Sequence, residues 1–249
     1  MHQHERTDKL VEPTHKPLRN SLEKRLKRKE MINLHLGDCL EAMKEMPDNT
    51  YDLAIVDPPY GLGISKKSQI GTSKKHTPKD WDDKIPTKFY FEELKRISKI
   101  QIVWGVNYFD GMGLNGGRII WNKLGKDIGR RKVAPAFSEC EIGYYSGANN
   151  VKMYSYTYIG NVQGNDYQIL WSNTNRIHPT QKPVQLYEWL LDNYAKEGDK
   201  ILDTHLGSGS IALACHNRKF DLDAWEIDEE YYNNAVARLD THKSQLTMF

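Results

Sequence analysis

Short apolar runs alternate with helical patterns over most of this chain. Residues 53–56 and 100–104 are almost entirely apolar, which is typical of strands covered on both faces, and residues 32–36 are also predicted to form a strand. Between them apolar residues recur at helical spacing, as over residues 90–97. The alternation predicts an α/β fold built on a doubly wound, mostly parallel sheet.

The same plan returns in the last third of the chain, after a long stretch with weaker patterns. Within residues 108–176, which are rich in Tyr, Asn and Gly, short strands are expected at 119–121 and 142–145, and the rest is expected to be irregular. A polar loop is expected over residues 61–86. From Pro183 onward the predicted elements are a helix that carries Tyr187, Leu190, Leu191 and Tyr194, a strand at 201–202, a helix at 211–215, a strand at 222–225, and a last helix that carries Tyr232, Ala235, Val236 and Leu239.

Length and charge indicate one large domain with two extensions. The chain has 249 residues and a net charge of +2, so affinity for nucleic acid must come from local patches. We expect the main domain over residues 31–241 and a short tail over 242–249. Residues 1–30 hold nine Lys or Arg against five Asp or Glu, and form either a solvated segment or an arm that contacts phosphates.

Composition also excludes several classes of protein. No apolar stretch is long enough to span a membrane, and the N-terminus has no apolar signal-peptide region. The three cysteines are far apart in the sequence and are expected to be reduced thiols of a cytoplasmic protein. Neither CxxC nor HExxH occurs, so we expect no metal site.

The strongest chemical signal is Asp57-Pro58-Pro59-Tyr60, directly after the second predicted strand. Proline has no N–H and a fixed φ, so the Pro58 carbonyl is available as a rigid acceptor. The Asp57 carboxylate is a second acceptor, and the Tyr60 ring offers a face for stacking. This set suits the exocyclic amine of a heterocyclic base. The alternative is a Pro-rich turn with an Asp that caps a helix.

A second signal lies in the strand–loop–helix–strand pattern near the C-terminus. The loop carries Gly207 and Gly209, and Glu226 follows nineteen positions after Gly207, where a carboxylate can bond ribose hydroxyls. The loop has no basic residue, which favours a cofactor without phosphates, such as S-adenosylmethionine (SAM). Asp203 can favour its positive charges. The alternative is a tight strand-to-helix turn without a ligand.

A third motif, His178-Pro179-Thr180-Gln181-Lys182-Pro183, makes the pattern specific. By itself it is a rigid turn before a helix. Together with Asp57-Pro58-Pro59-Tyr60 and the glycine loop, in this order, it resembles the β group of SAM-dependent DNA amino-methyltransferases over residues 31–241. Residues 79–82 and 102–109 are similar to phage- or prophage-encoded, adenine-specific members. The resemblance implies a Rossmann-like methyltransferase sheet with circularly permuted motifs, a target-recognition insertion near 108–176 and a mobile loop near 61–86.

The resemblance also implies the roles of the site residues. Asp57 and the Pro58 carbonyl each accept one N–H of N6 on a flipped-out adenine, and Tyr60 stacks on that base. Asp38 and Cys39 flank the cofactor's adenine, although Asp38 also suits a helix N-cap. Thr180, Gln181 and Lys182 lie near its methionine end. His205 departs from the family pattern and either lines the pocket or packs as a neutral side chain. The predicted cofactor-binding residues are Asp38, Cys39, Asp57, Thr180, Gln181, Lys182, Asp203, Thr204, His205, Leu206, Gly207, Ser208, Gly209, Glu226 and Ile227.

Duplex DNA is the expected partner, bound through two basic loops between the catalytic motif and residue 178. Each loop is either an ordinary solvated surface or a set of phosphate contacts that position the duplex without reading its sequence. The candidates are Lys66, Lys67, Lys74, Lys75, Lys123, Lys126, Arg130, Arg131 and Lys132.

Other functions stay open. N4 of cytosine is the nearest alternative acceptor, whereas C5 of cytosine is disfavoured because no cysteine follows a proline. A non-catalytic DNA-binding protein of the same fold, and RNA or protein-glutamine methylation, are further alternatives, and a homodimer is left open. The C-terminal residues Gln245, Leu246, Met248 and Phe249 resemble peptides that bind bacterial sliding clamps. A tail folded back on the sheet is the preferred alternative there.

Overall fold

A computed structural model describes residues 30–66, 78–125, 138–159, 162–165, 168–171 and 177–246. Eight strands within these residues form one sheet in the order β1–β11–β10–β2–β3–β5–β4–β6, and three form a second sheet in the order β7–β8–β9. The strands are β1 (Ile32–Leu36), β2 (Tyr51–Val56), β3 (Ser98–Trp104), β4 (Gly117–Asn122), β5 (Cys140–Tyr145), β6 (Val151–Ser155), β7 (Thr157–Ile159), β8 (Val162–Asn165), β9 (Gln168–Trp171), β10 (Lys200–Asp203) and β11 (Asp221–Glu226).

Helices cover both faces of the large sheet. In the described part of the chain they are α1 (Cys39–Glu45), α2 (Lys88–Ile97), α3 (Val184–Tyr194), α4 (Ser210–Arg218) and α5 (Glu229–Leu246), with short 3₁₀ turns at Ile64–Lys66 and Val106–Tyr108. Side chains of α1 and α2 pack into one buried cluster, and those of α3, α4 and α5 pack into the other. This is the doubly wound α/β architecture that the sequence predicts.

Strand β2 shows why the central strands have few polar residues. Leu53 and Ile55 belong to the cluster under α3 and α4, whereas Ala54 and Val56 belong to the cluster under α1 and α2. All four are at most 1% exposed. Because successive side chains point to opposite faces, a strand covered on both faces places apolar residues on both.

Five neighbouring strands, from β1 to β3, are parallel to one another. From β2 the chain continues to β3 on one side, and from β10 it continues to β11 on the other side. Such a reversal leaves a crevice beyond the carboxyl ends of the two central strands. The residues that end β2 and β10 are therefore placed side by side.

The prediction of mostly irregular structure in residues 108–176 is wrong for the described part. Strand β4 is antiparallel to β5 and parallel to the edge strand β6, and β7, β8 and β9 form an antiparallel sheet. The sequence pattern of these strands is weak because the strands are short. Strand β6 also exposes its apolar residues Val151 and Met153 at the sheet edge, so its apolar positions do not mark a buried face.

Two boundaries also differ from the prediction. Pro183 is the N-cap of α3, and the helix proper starts at Val184. Helix α5 runs to Leu246, so the first five residues of the predicted tail, 242–246, are helical. None of the helices in the described residues is both long and apolar enough to cross a membrane. The same residues hold no cluster of His, Cys, Asp or Glu suited to a metal ion.

Candidate active site

Four parallel strands deliver acidic residues to one edge of the sheet. Asp57 directly follows β2, Asp203 ends β10, Glu226 ends β11, and Asp38 lies two positions after β1. Because β1, β11, β10 and β2 are adjacent and parallel, these four positions share the same edge. Beyond it lies a cavity of about 250 Å³.

Two of these carboxylates hold the glycine loop in place. Glu226 accepts the backbone N–H of Gly207 at 2.8 Å and that of Asp228 at 2.9 Å, and Asp203 accepts the N–H of His205 at 3.0 Å. Gly209 adopts φ +72°, and a Cβ there would lie 3.0 Å from the Cβ of Ala235 on α5. Only glycine takes this conformation and contact without strain, so the loop can bend tightly into α4.

The charges around this cavity suit a cation and not a phosphate. Asp38, Asp57 and Glu226 are among the lining residues, and Lys182, the one lining Lys or Arg among the described residues, is already paired with Asp57. Burial lowers the pKa of His205 to about 4, so its imidazole is neutral near pH 7. Burial also raises the pKa of Asp203 to about 8.

Asp57 is the centre of a buried hydrogen-bond network. One carboxylate oxygen accepts the Tyr60 hydroxyl, and the other accepts the ammonium of Lys182. The Lys182 ammonium also lies 3.1 Å from an oxygen of Glu141 on β5. Burial raises the pKa of Asp57, and the charge of Lys182 opposes that rise. For Lys182, burial lowers the pKa, but Asp57 and Glu141 outweigh it and raise the pKa above its usual value.

A second cavity, of about 460 Å³, adjoins this network. Tyr60, Tyr108 and Glu141 are on its walls, and Thr180, Gln181 and Lys182 line both cavities. The Asp57–Lys182 pair therefore lies between two spaces that share one wall. This is the arrangement expected where a group passes from one bound molecule to another.

The ring of Tyr60 is fixed by close packing against residues that follow β3. It stacks on Tyr108 with ring centroids 4.8 Å apart, and Phe109 meets it edge-on at 5.9 Å. Gly105, at φ +74°, passes so close that a Cβ there would lie 2.1 Å from Cε1 of Tyr60. The orientation of the ring therefore depends on a glycine at the end of β3.

A segment we call the strap, residues 78–83, lies beside the first cavity and the turn after β2. The buried carboxylate of Asp82 accepts the backbone N–H groups of Tyr60, Gly61 and Ile64 at 2.9–3.0 Å. Lys79 forms ion pairs with two acidic side chains at the start of α5, at 2.9 and 3.0 Å. The strap thus ties the turn after β2, residues 57–64, which carries the predicted catalytic residues, to the start of α5.

Trp81 is the strap residue that lines the first cavity. Its ring lies 5.1 Å from the ring of His178 and 6.4 Å from that of Tyr231. An aromatic wall of this kind supplies a large apolar contact to whatever occupies the cavity.

Comparison with known proteins agrees with this geometry. The N6/N4 methyltransferase family model, described as DNA methylase, matches residues 141–237, from β5 into α5. Over 242 residues the chain is 28% identical to the type II methyltransferase M.HpaI of Haemophilus parainfluenzae. The match covers 82% of this chain and 73% of that protein. The chain is a homologue of the N6/N4 DNA methyltransferases.

Two solved structures share the fold of this N6/N4 methyltransferase homologue. The structure of M1.HpyAVI in complex with SAM has a TM-score of 0.53 at 22% identity, covering 84% of this chain and 100% of that one. The cytosine-N4-specific PvuII DNA methyltransferase has a TM-score of 0.52 at 13% identity, covering 87% of this chain and 91% of that one. Both confirm the mostly parallel α/β sheet.

The structure gathers most of the predicted cofactor residues of the N6/N4 methyltransferase homologue around the first cavity. Asp203 and Gly209 are the exceptions, since they hold the loop from behind and do not line it. Asp38 caps α1 by accepting the N–H of Leu40 at 2.8 Å and also lines the cavity. The lining residues that were predicted are Asp38, Cys39, Asp57, Thr180, Gln181, Lys182, Thr204, His205, Leu206, Gly207, Ser208, Glu226 and Ile227.

Of the predicted catalytic residues, Pro59 lines the first cavity and Tyr60 lines the second. Pro58 is buried and lines neither of these two, so the role of its carbonyl stays a prediction. Lys182 was expected near the methionine end of the cofactor. It instead pairs with Asp57 and Glu141, next to the second cavity.

The predicted DNA contacts are only partly within the described residues. Lys66 is exposed and pairs with Asp83 at 2.8 Å, whereas Lys123 is half-buried and donates to Glu141 at 3.2 Å. Outside the described residues lie Lys67, Lys74, Lys75, Lys126, Arg130, Arg131 and Lys132, together with Met248 and Phe249 of the clamp-like tail. Gln245 is exposed on the last turn of α5. Phosphate and clamp binding both stay predictions.

Several residues of the site were not predicted as functional, among them His178, Trp81, Tyr187 and Glu141. His178 begins the motif at residues 178–183, and Trp81 lies in the segment 79–82 that resembles phage-encoded members, so the sequence held a signal for both. Tyr187 appeared only as an apolar position of α3, and Glu141 carried no local signal. A residue of this last kind is found only when the fold places β5 beside β3 and so brings Glu141 to Lys182, in the loop before α3.

Proposed function

We propose that this protein is a DNA methyltransferase that uses SAM to methylate N6 of a flipped-out adenine in double-stranded DNA. The observation that carries the proposal is the position of Asp57. Its half-buried carboxylate lies on the wall of one cavity, and its hydrogen-bond partners Tyr60 and Lys182 lie on the wall of the next.

SAM fits the first cavity because the acidic lining suits its positive charges and the glycine loop offers no cation for a phosphate. When bound, it supplies a methyl group on a positively charged sulfur. Glu226 and Asp38 would hold its ribose and adenine, and Thr180 and Gln181 would hold its methionine end. Trp81 and the strap would keep water from the reacting carbon.

The second cavity is the proposed place of the target base, which must leave the duplex to reach Asp57. There Asp57 and the Pro58 carbonyl would accept the two amino hydrogens, and Tyr60 would stack on the ring. Holding both hydrogens orients the nitrogen lone pair toward the first cavity. Catalysis then rests on positioning and electrostatics, and no covalent enzyme intermediate is needed.

Adenine is the proposed base because Asp57 stands where N4-cytosine enzymes of the resembled family typically carry Ser. N4 of cytosine is the alternative, since its amine presents the same two hydrogens beside a ring nitrogen. Burial and the neighbouring Asp38 raise the pKa of the Cys39 thiol to about 12, so this cysteine does not supply the thiolate that C5 methylation needs.

The test is transfer of labelled methyl from SAM to unmethylated duplex DNA, followed by digestion and mass spectrometry of the nucleosides. N6-methyladenine is the expected product. Detection of N4-methylcytosine in its place would show that the target base is cytosine. Asp57→Ala is expected to abolish transfer, whereas Asp110→Asn, which changes an exposed carboxylate, is the matched control. Label in tRNA or protein and none in duplex DNA would overturn the proposal.

Partner binding is proposed on separate grounds. The basic positions Lys66, Lys67, Lys74, Lys75, Lys126, Arg130, Arg131 and Lys132 are proposed phosphate contacts, which predicts that DNA binding weakens steeply with salt. Clamp binding through Gln245, Leu246, Met248 and Phe249, phage or prophage origin and a homodimer remain separate hypotheses. Equal recovery of the full chain and a chain lacking 245–249 on immobilised clamp would remove the clamp hypothesis.

A further inference from the structure

The ammonium of Lys182 is held between two carboxylates that come from different parts of the fold. Asp57 follows β2, and Glu141 lies on β5, two strands away in the sheet. The Tyr60 hydroxyl is a third oxygen near the ammonium, at 3.4 Å. The Lys182 side chain is only 3% exposed, so these oxygens take the place of water around its charge.

Glu141 is itself fixed from the opposite side. One of its oxygens is 3.2 Å from the ammonium of Lys123, and the other is 3.1 Å from that of Lys182. Burial raises the pKa of Glu141, but the two lysines outweigh burial and lower it. Two carboxylates and two ammonium groups thus form an alternating chain with no net charge.

In this arrangement both oxygens of Asp57 already have donors, Tyr60 and Lys182. An incoming amino group needs one of those oxygens. The ammonium of Lys182 can release Asp57 at low cost because a second carboxylate is already within 3.1 Å. Without that second carboxylate, release would leave a buried cation with the Tyr60 hydroxyl as its nearest remaining oxygen, which is costly.

We propose that Glu141 is a positioning residue of the methyl-transfer reaction: it receives the Lys182 ammonium when Asp57 turns one oxygen to the amino group of the target base. Lys123 holds Glu141 at the correct place for that exchange. This inference rests on the proposed function. It gives Lys123 a structural role at the second cavity in place of the predicted phosphate contact.

The charges that surround Asp57 make the exchange measurable as a pH effect. Glu141 repels the ionised form of Asp57 and so raises its pKa, whereas Lys182 and the Tyr60 hydroxyl lower it. The removal of the Glu141 charge should therefore lower the pKa of Asp57. Among the described residues, the other ionisable groups that interact with Asp57 are Tyr90, Tyr187 and Asp203.

The experiment compares Glu141→Gln with Glu141→Asp, and uses Glu139→Gln as the matched control. Glu139 is an exposed neighbour just before β5. Methyl transfer to unmethylated plasmid DNA gives kcat and the KM for SAM, and ¹³C-carboxyl NMR, assigned with Asp57→Asn, gives the titration midpoint of Asp57. Thermal melting confirms that each variant is folded.

Glu141→Gln is expected to lower kcat about 10- to 100-fold, with the KM for SAM nearly unchanged. It should move the Asp57 midpoint to lower pH. Glu141→Asp should restore part of kcat, and Glu139→Gln should behave as the wild type. A folded Glu141→Gln protein with wild-type kcat, or with an unshifted Asp57 midpoint, would overturn the inference. A wild-type protein that transfers no methyl group would instead refute the proposed function, and the NMR midpoint would still report the coupling.

Discussion

The buried carboxylate of Asp82 accepts the backbone N–H of Tyr60 at 2.9 Å, although the two residues are 22 positions apart. The same carboxylate accepts two further backbone N–H groups of the catalytic turn, from Gly61 and Ile64. A turn that presents reactive side chains has few regular hydrogen bonds of its own. Asp82 supplies partners for its backbone and so fixes the direction in which Asp57 and Tyr60 point.

Asp82→Asn should lower both stability and turnover. The amide keeps one acceptor oxygen but turns an NH₂ group toward a backbone donor, so one half-buried N–H loses its partner at a cost of about 1 kcal/mol. Urea unfolding and kcat for methyl transfer measure the two effects. Asp80→Asn, at an exposed position of the same strap, is the control. A variant at position 82 that matches this control in both measurements would show that the strap does not fix the turn.

Gly105→Ala should disturb the ring of Tyr60 more than the backbone conformation alone explains. The added Cβ would lie 2.1 Å from Cε1 of Tyr60, whereas at Gly111, which has nearly the same φ of +72°, no atom lies within 4 Å. Gly111→Ala should therefore lower the free energy of unfolding only by the cost of a left-handed backbone at alanine, about 1–2 kcal/mol.

The two alanine variants separate those effects when unfolding free energy and kcat are measured side by side. We expect Gly105→Ala to lose more stability than Gly111→Ala and to lose most of its methyl transfer. Gly111→Ala should keep its activity. Equal losses in both proteins would mean that Tyr60 moves aside freely, and its fixed orientation would then be irrelevant to catalysis.

Local sequence patterns predicted most of the fold and most of the residues around the first cavity. Apolar runs marked β2 and β3, because strands covered on both faces bury most of their side chains. Glu226 was predicted from its spacing after Gly207, and it shares one sheet edge with Asp57 because the carboxyl ends of parallel strands meet there. Other cofactor residues of the first cavity, such as Thr180 and Gln181, were predicted only from the resemblance to DNA amino-methyltransferases.

Contacts between distant segments could not be predicted in the same way. Glu141 reaches Lys182 only because β5 inserts antiparallel beside β3, and nothing within β5 signals that pairing. Asp203 was expected to face the cofactor, but its carboxylate turns to the N–H of His205. Side-chain direction at a strand end depends on the local turn, which the sequence pattern leaves open.

Trp81→Ala should weaken cofactor binding. The indole lines the first cavity and packs beside the rings of His178 and Tyr231, so its removal opens that wall to water. We expect the Kd for SAM in calorimetry to rise about tenfold, equivalent to ~1.4 kcal/mol. Trp189→Ala removes the same group from α3, where it stacks on Tyr154, and is the matched control. If both variants bind SAM as the wild type does, the strap plays no part in holding the cofactor.

Asp203 makes the stability of the ligand-free protein depend on pH in an unusual direction. Burial raises its pKa from the ordinary 3.8 to about 8, so the folded state holds this proton more tightly than the unfolded state does. Between about pH 4 and pH 8 the folded state therefore binds more protons at this site. Its contribution to the free energy of unfolding falls as pH rises, by at most ~1.4 kcal/mol per pH unit.

Asp203→Asn should remove that slope, because the amide does not titrate and its oxygen can still accept the N–H of His205. Urea unfolding at pH 5 and pH 8 measures the effect in the wild type and the variant. The variant should gain stability relative to the wild type on going from pH 5 to pH 8. Asp240→Asn, which removes an exposed carboxylate of α5, controls for the loss of a charge. Parallel pH dependence in the wild type and Asp203→Asn would show that Asp203 is ionised in the folded protein, and the backbone bond to His205 would then be the stronger influence on its charge.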